Sequence, residues 1–164
     1  MPHYLLKISK RKWDRLDVPW LEPNQIQADP LGDLRIDKGT LSVWHVNEDK
    51  SNLEIVILAL AATREKFDKF EYGLFDQELA KSINLKIQNT LGITPIDKAN
   101  IWHRDVIELT AEKAFELIRA IFDTFEKERV LGDDIRTQIV NAVKEGNLDI
   151  QKVNNSISRI IESR

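Results

Sequence analysis

Hydrophobic residues recur along the chain with two different periods, and the change from one to the other organises the sequence. In His3-Tyr4-Leu5-Leu6-Lys7-Ile8, the positions Tyr4, Leu6 and Ile8 share one face at the two-residue period of a strand. Leu41, Val43 and His45 alternate with Ser42, Trp44 and Val46 in the same way. The turn-forming run Asn47-Glu48-Asp49-Lys50-Ser51-Asn52 follows, and Leu53 to Leu60, centred on the β-branched Ile55-Val56-Ile57, completes a predicted hairpin. A helical signal competes there, because Ser51 and Glu54 spell a capping box and Ala59-Leu60-Ala61-Ala62 favours helix. The β-branched centre tips the reading to strand. Phe70 to Phe75 reads as a further strand, ended by Asp76, which caps a short helix through Ile83.

The second half follows the helical period. Thr94-Pro95, with Asp97 in the first turn, predicts a helix from Pro95 to about Ile107. Thr110 then caps a helix whose Ala114, Leu117, Ile118, Ile121, Phe122 and Phe125 form an apolar stripe opposite Glu112, Glu116, Arg119, Asp123 and Lys127. From Val130 onward aromatic residues cease. Ile135, Ile139, Val140 and Val143 make one stripe, closed by Gly146-Asn147. Asp149 caps a last predicted helix, on which Ile150, Val153, Ile157, Ile160 and Ile161 have coiled-coil-like spacing. The expected fold is α+β: a small, mainly antiparallel sheet in the N-terminal half packed by helices, with a C-terminal α-helical hairpin. Residues 1–128 are read as the globular domain and 129–164 as the hairpin. Two short helices cannot bury both stripes alone, so the hairpin must pack on the domain or on another chain. Between the first two strands, Arg15 to Gly39 holds Pro19, Pro23 and Pro30 without a sustained period, an irregular excursion of a kind that is often functional.

Composition narrows the classes. With 164 residues, 42% hydrophobic, the chain has the size of one domain and is too apolar for disorder. The absence of Cys excludes disulfides, thiolate metal sites and a cysteine nucleophile, and fits a reducing, cytoplasmic setting. A net charge of −3 gives no global field for nucleic acid or anionic lipid. The apolar run Ile55 to Ala62 is too short to cross a bilayer, and Lys7, Lys10, Arg11 and Lys12 follow rather than precede an apolar segment, the wrong order for a secretion signal. No membrane partner is expected.

Candidate chemistry is sparse. Val43-Trp44-His45 is echoed by Ile101-Trp102-His103, and acidic residues follow both triplets. A histidine oriented by Asp105 has the makings of a general base, so His45, His103 and Asp105 are the candidate catalytic residues. Neither histidine has a metal-ligating partner one helical turn away, so no metal or other cofactor is expected. His103-Arg104-Asp105 matches the start of the kinase catalytic loop, but Thr110 stands where that loop needs Asn, and no glycine-rich loop exists. Lys10, Arg11, Lys12 and Trp13 form a local basic-aromatic patch of a type that holds nucleic acid, diluted by Asp14 and Asp17. Trp13, Trp20 and Trp44 lie in or beside the excursion, where they suit a groove for a small ligand or peptide. The leading expectation is a cytoplasmic interaction or regulatory module without catalytic activity. It would meet a protein partner or a second copy through the seam Ile150, Val153, Ile157 and Ile160. The alternative is a small His/Asp-dependent hydrolase or nuclease, toxin-like in size.

Overall fold

The computed structural model describes residues 1–66, 68–122 and 126–162, without the side chains of Ser156 and Ile160. Six strands form one wholly antiparallel sheet: β1 (His3–Lys7), β2 (Leu41–Val46), β3 (Phe70–Asp76), β4 (Lys86–Asn89), β5 (His103–Ile107) and β6 (Glu126–Val130), in the spatial order β4-β5-β2-β1-β3-β6. Six α-helices accompany it among the described residues: α1 (Leu53–Ala62), α2 (Gln77–Ser82), α3 (Asp97–Asn100), α4 (Ala111–Ile121), α5 (Gly132–Lys144) and α6 (Asn155–Glu162). The α+β class therefore holds. β4, β5 and β6, however, come from the second half of the chain, so the sheet is not an N-terminal unit.

Side chains alternate across the sheet and feed two cores. Leu5, Trp44, Val46, Phe70, Tyr72 and Leu74 face α1, α3, α5 and α6. Tyr4, Leu6, Leu41, Val43, Phe75 and Val106 face α2, α4 and the buried Trp13. Helices thus cover both faces, which explains why β3 is buried along nearly its whole length.

The segment 53–62 is a helix, and the predicted second strand of a hairpin is corrected. Its residues are apolar on every side because α1 lies between the sheet and α5, with Val56, Ile57, Ala59, Ala61 and Ala62 all buried. A continuous apolar run suits a buried helix as well as a strand, and here burial on all sides outweighed the β-branched centre. The partners of β2 are β1 and β5 instead. Asn52 precedes α1 without capping it: its side chain ties the loop to β2, donating to the His45 carbonyl at 3.0 Å and accepting from the Asn47 amide at 2.8 Å.

The helix expected over Pro95 to Ile107 is also corrected. Only one turn, α3, forms, and the chain then enters β5. The Asn100 side chain accepts from the Thr94 amide at 2.9 Å and the Thr94 hydroxyl at 2.8 Å, folding Thr94 back instead of leaving it to cap a long helix. β5 gains a full ladder with β2 and buries Val106 completely. Strand pairing thereby overrides a local N-cap signal.

Other expectations hold. Asp76 Oδ1 accepts the Leu79 amide at 2.7 Å at the start of α2, and Thr110 Oγ1 accepts the Lys113 amide at 3.3 Å at the start of α4; caps of this kind contribute about 1 kcal/mol each. Ala114, Leu117, Ile118, Ile121 and Phe122 are buried as the stripe requires, and Phe125 and Asp123 lie outside the described residues. Lys127, expected on the polar face of the same helix, is corrected: α4 ends at Ile121, and Lys127 lies in β6, paired along β3. Gly146 ends α5 at φ +71°, the left-handed conformation that glycine adopts without steric cost. Asp149 begins a 3-10 turn (Ile150–Lys152), not a helix, and α6 starts later. β6 spans the expected boundary after residue 128.

Candidate functional site

The two Trp-His triplets meet in space, and they do so crosswise. Antiparallel pairing of β2 with β5 sets Trp44 opposite His103, and the His45 amide donates to the Trp102 carbonyl at 2.8 Å. Trp44 meets the His103 ring edge-on at 5.1 Å, while His45 stacks on Trp102 at 5.6 Å with 12° between the planes. Neighbouring positions on a strand point to opposite faces, so the two histidines lie on opposite sides of the sheet. They cannot act on one substrate atom or share one metal.

On one side, His103 Nδ1 hydrogen-bonds the Thr90 hydroxyl at 2.8 Å, its Nε2 lies 3.8 Å from Asp105 Oδ1, and Ser42 Oγ donates to that same oxygen at 3.4 Å. The order Ser42–Asp105–His103 places the carboxylate between hydroxyl and imidazole, so the imidazole does not take the serine proton as nucleophilic catalysis requires. Gly92 packs against this cluster so closely that a Cβ there would stand 2.7 Å from the Trp44 ring and 3.0 Å from His103 Cβ. On the other side, His45 contacts the Tyr4 ring edge-on, and its Nδ1 is buried without a hydrogen-bond partner. Burial lowers the pKa of both histidines; the Arg104 charge adds to this, and Asp105 partly opposes it at His103. Both rings are therefore neutral at pH 7 and serve packing. Among the described residues no group of three His, Asp or Glu side chains is placed to hold a metal.

The basic-aromatic patch does not assemble as an interface. Trp13 is wholly buried, its ring tilted against Phe122 at 6.1 Å, so it offers no face to a base. Asp33 gathers this segment: its carboxylate accepts from the Ser9 amide at 2.7 Å, Lys12 Nζ at 2.9 Å and Trp13 Nε1 at 2.9 Å. Lys10 contributes its backbone, donating to Glu71 at 3.1 Å. The seam fares similarly. Val153 and Ile157 are buried in the same core as Ile135 and Ile139, Ile150 is half-buried, and the Ile160 side chain lies outside the described residues. The C-terminal helices pack into the helix-covered core of their own chain, α5 against α1. The tryptophans of the excursion also diverge: Trp44 and Trp13 are buried, while Trp20 stays two-thirds exposed in a shallow groove with Ile26 and Phe115.

A different site lies where the sheet divides. β1 and β2 pair only at His3–Val46, Tyr4–His45 and Leu5–Trp44; beyond that point β1 continues along β3 and β2 along β5. The centre of the sheet forks, and a cleft of about 400 Å³ occupies the fork. β1 and the residues after it supply Leu6, Lys7, Ile8 and Ser9, β2 supplies Leu41, Ser42 and Trp44, and the end of α1 supplies Leu60 and Thr63. Lys12, Gly32, Asp33 and Arg35 close the remaining side, held there by the Asp33 hydrogen bonds.

The fork is electropositive. Lys12 is neutralised by Asp33 at 2.9 Å, but Lys7 and Arg35 form no ion pair among the described residues. Arg64, just beyond α1, donates to the Lys69 carbonyl at 2.7 Å and forms no ion pair among the described residues. Burial in the cleft lowers the Lys7 pKa, the charges of Arg64 and Arg35 lower it further, and Asp33 pulls weakly upward. Lys7 and Arg35, two serines, a threonine and a tryptophan thus line a gap that no strand ladder crosses, with Arg64 acting on Lys7 from nearby. Sequence reasoning missed this site. Its one local signal was Lys7, a charge at the end of an apolar strand.

No family model, curated protein or solved structure matches the chain significantly. Function is accordingly argued from the chain's own geometry. No helix among the described residues is long and apolar enough to cross a membrane.

Proposed function

We propose that the protein is a binding module for a small anionic ligand, held in the fork between β1 and β2. The observation that carries this reading is that Lys7, Lys12 and Arg35 line a cleft whose one lining carboxylate, Asp33, is paired with Lys12, while the charge of Arg64 acts on Lys7 from nearby. Like charges held close in partly desolvated surroundings repel, and an anion relieves that repulsion while accepting their hydrogen bonds. The cleft volume lies in the range of metabolite-sized pockets. Trp44 and Leu60 give it an apolar wall, and the Ser9 hydroxyl supplies a neutral donor beside a phosphate or carboxylate. A cytoplasmic setting suits a cysteine-free chain with such a ligand. Binding without catalysis agrees with the His103 cluster, whose polar groups are committed to one another.

Calorimetric titration with inorganic phosphate and pyrophosphate tests the reading. A charge-assisted hydrogen bond contributes about 1.5–3 kcal/mol, so Arg35→Met should weaken binding at least about tenfold, and binding should weaken as salt rises. Lys86→Met, on an exposed strand remote from the fork, should leave affinity unchanged. Equal affinities in wild type and Arg35→Met would refute the site, as would no binding of either anion.

A further inference from the structure

We infer that Lys7 is a nucleophilic amine that captures carbonyl compounds bearing a phosphate or carboxylate, forming an imine in the sheet fork. The inference rests on the proposed anion site and deepens it. Three features of that site point the same way. Lys7 remains reachable from solvent while its neighbours wall the cleft, so a ligand can approach the nitrogen. Arg35 shares the cleft and Arg64 lies close enough to act on the Lys7 charge, so the anionic end of a ligand would dock beside the amine and leave its carbonyl against Nζ. Partial burial also favours the uncharged amine, the form that attacks; the charges of Arg64 and Arg35 add to this, and Asp33 opposes it only weakly. Lys7 has no carboxylate partner among the described residues to hold its proton, unlike Lys12 with Asp33, Lys50 with Glu126 or Lys152 with Asp97.

The step balances without a further reactant. The neutral amine adds its lone pair to the carbonyl carbon, a carbinolamine forms, and loss of water leaves a C=N bond that hydrolysis reverses. The Ser9 hydroxyl, which lines the cleft, is the group placed to relay the proton to the departing oxygen.

Pyridoxal 5′-phosphate, trapped with borohydride and mapped by peptide mass spectrometry on the full chain, is the test. At one equivalent the adduct should fall on Lys7 at least tenfold more often than on any other lysine, and inorganic phosphate should suppress it. Pyridoxal without the phosphate should label Lys7 at least tenfold less. Arg35→Met, which keeps Lys7, should abolish both the preference and the phosphate protection, with circular dichroism confirming the fold. In wild type the Lys7 labelling rate should rise at lower pH than that of the remaining lysines. Labelling spread over the lysines according to exposure would overturn the inference. If phosphate still binds calorimetrically in that case, the anion site stands and only the covalent step falls; if phosphate does not bind, both fall.

Discussion

Ile157→Ala separates a core helix from an assembly helix. The Ile157 side chain is wholly buried among Ile135, Ile139, Val153 and the helix-covered face of the sheet. Truncating a buried isoleucine to alanine costs about 2–5 kcal/mol, from lost transfer free energy and the cavity left behind. α6 is only eight residues long, so it can settle partly into the space, and about 3 kcal/mol is the working figure. For a chain of this length each kcal/mol shifts the midpoint by about 2–4 °C, which gives a drop of about 6–12 °C. Ile157→Asp should be worse, because the carboxylate finds no partner in that apolar setting and α6 must detach. Thermal melts followed by far-ultraviolet circular dichroism, with light scattering over a concentration series, read both quantities. The drop in midpoint should be independent of protein concentration, and the wild-type and Ile157→Ala masses should agree. A falling mass with an unchanged midpoint would mean that Ile157 holds chains together, and the placement of α6 in the core of its own chain would be wrong.

Two further perturbations probe the sheet. Gly92→Ala forces a methyl group toward Trp44, His103 and Asn100, and overpacking of this kind should cost about 1–3 kcal/mol in urea denaturation; a neutral result would show that the loop does not press on the Trp-His pair. Acid should destabilise the protein in two stages. His45 and His103 have depressed pKa values, so their neutral forms support the fold above the ordinary histidine range of about 6.5, and that support is lost as pH falls through the folded values. Glu71 follows at lower pH. Burial opposes its ionisation, but Arg129, the Lys10 amide and Lys69 hold its pKa below the ordinary glutamate value, so its contribution is present above about 4.3 and lost below. Glu71→Gln should cost about 2 kcal/mol at pH 7 and remove only the lower stage; an unaltered stability profile would refute that assignment.

Much of the fold was legible where one local rule had no competitor. Tyr4, Leu6 and Ile8 on one face, the Asp76 and Thr110 caps, the α4 stripe and the Gly146 stop all stand as read. The misreadings share a cause, the environment of the segment and not its composition. Ile55-Val56-Ile57 is a helix because α1 is enclosed between the sheet and α5, and apolar residues on all sides remove the amphipathic signature by which helices are recognised. β6, with the sequence Glu126-Lys127-Glu128-Arg129-Val130, carries no apolar alternation because it is an edge strand, and charge there guards the open edge against further pairing. The seam Val153 and Ile157 was identified correctly as an apolar stripe, but periodicity cannot say whether the surface that buries a stripe belongs to the same chain.

The candidate chemistry shows the same asymmetry between pattern and place. Trp-His written twice looked like a functional echo, whereas an antiparallel ladder turns two copies of one dipeptide into a reciprocal pair, each tryptophan against the other strand's histidine. The repeat therefore fixes the register of β2 against β5: a slip of one residue would exchange the faces of both histidines and set Trp44 against the wrong side chain. That register also decides where β2 must leave β1. β2 pairs with β5 from Leu41 to Trp44 but with β1 only from Trp44 to Val46, while β1 runs along β3 through Lys7, and the fork opens beside Lys7. Lys7, Arg35 and Arg64 sit on a strand, a loop and a helix end, with no spacing rule to connect them in sequence. The residues that looked chemical hold the sheet in register, and the register in turn gathers the cations that sequence left scattered.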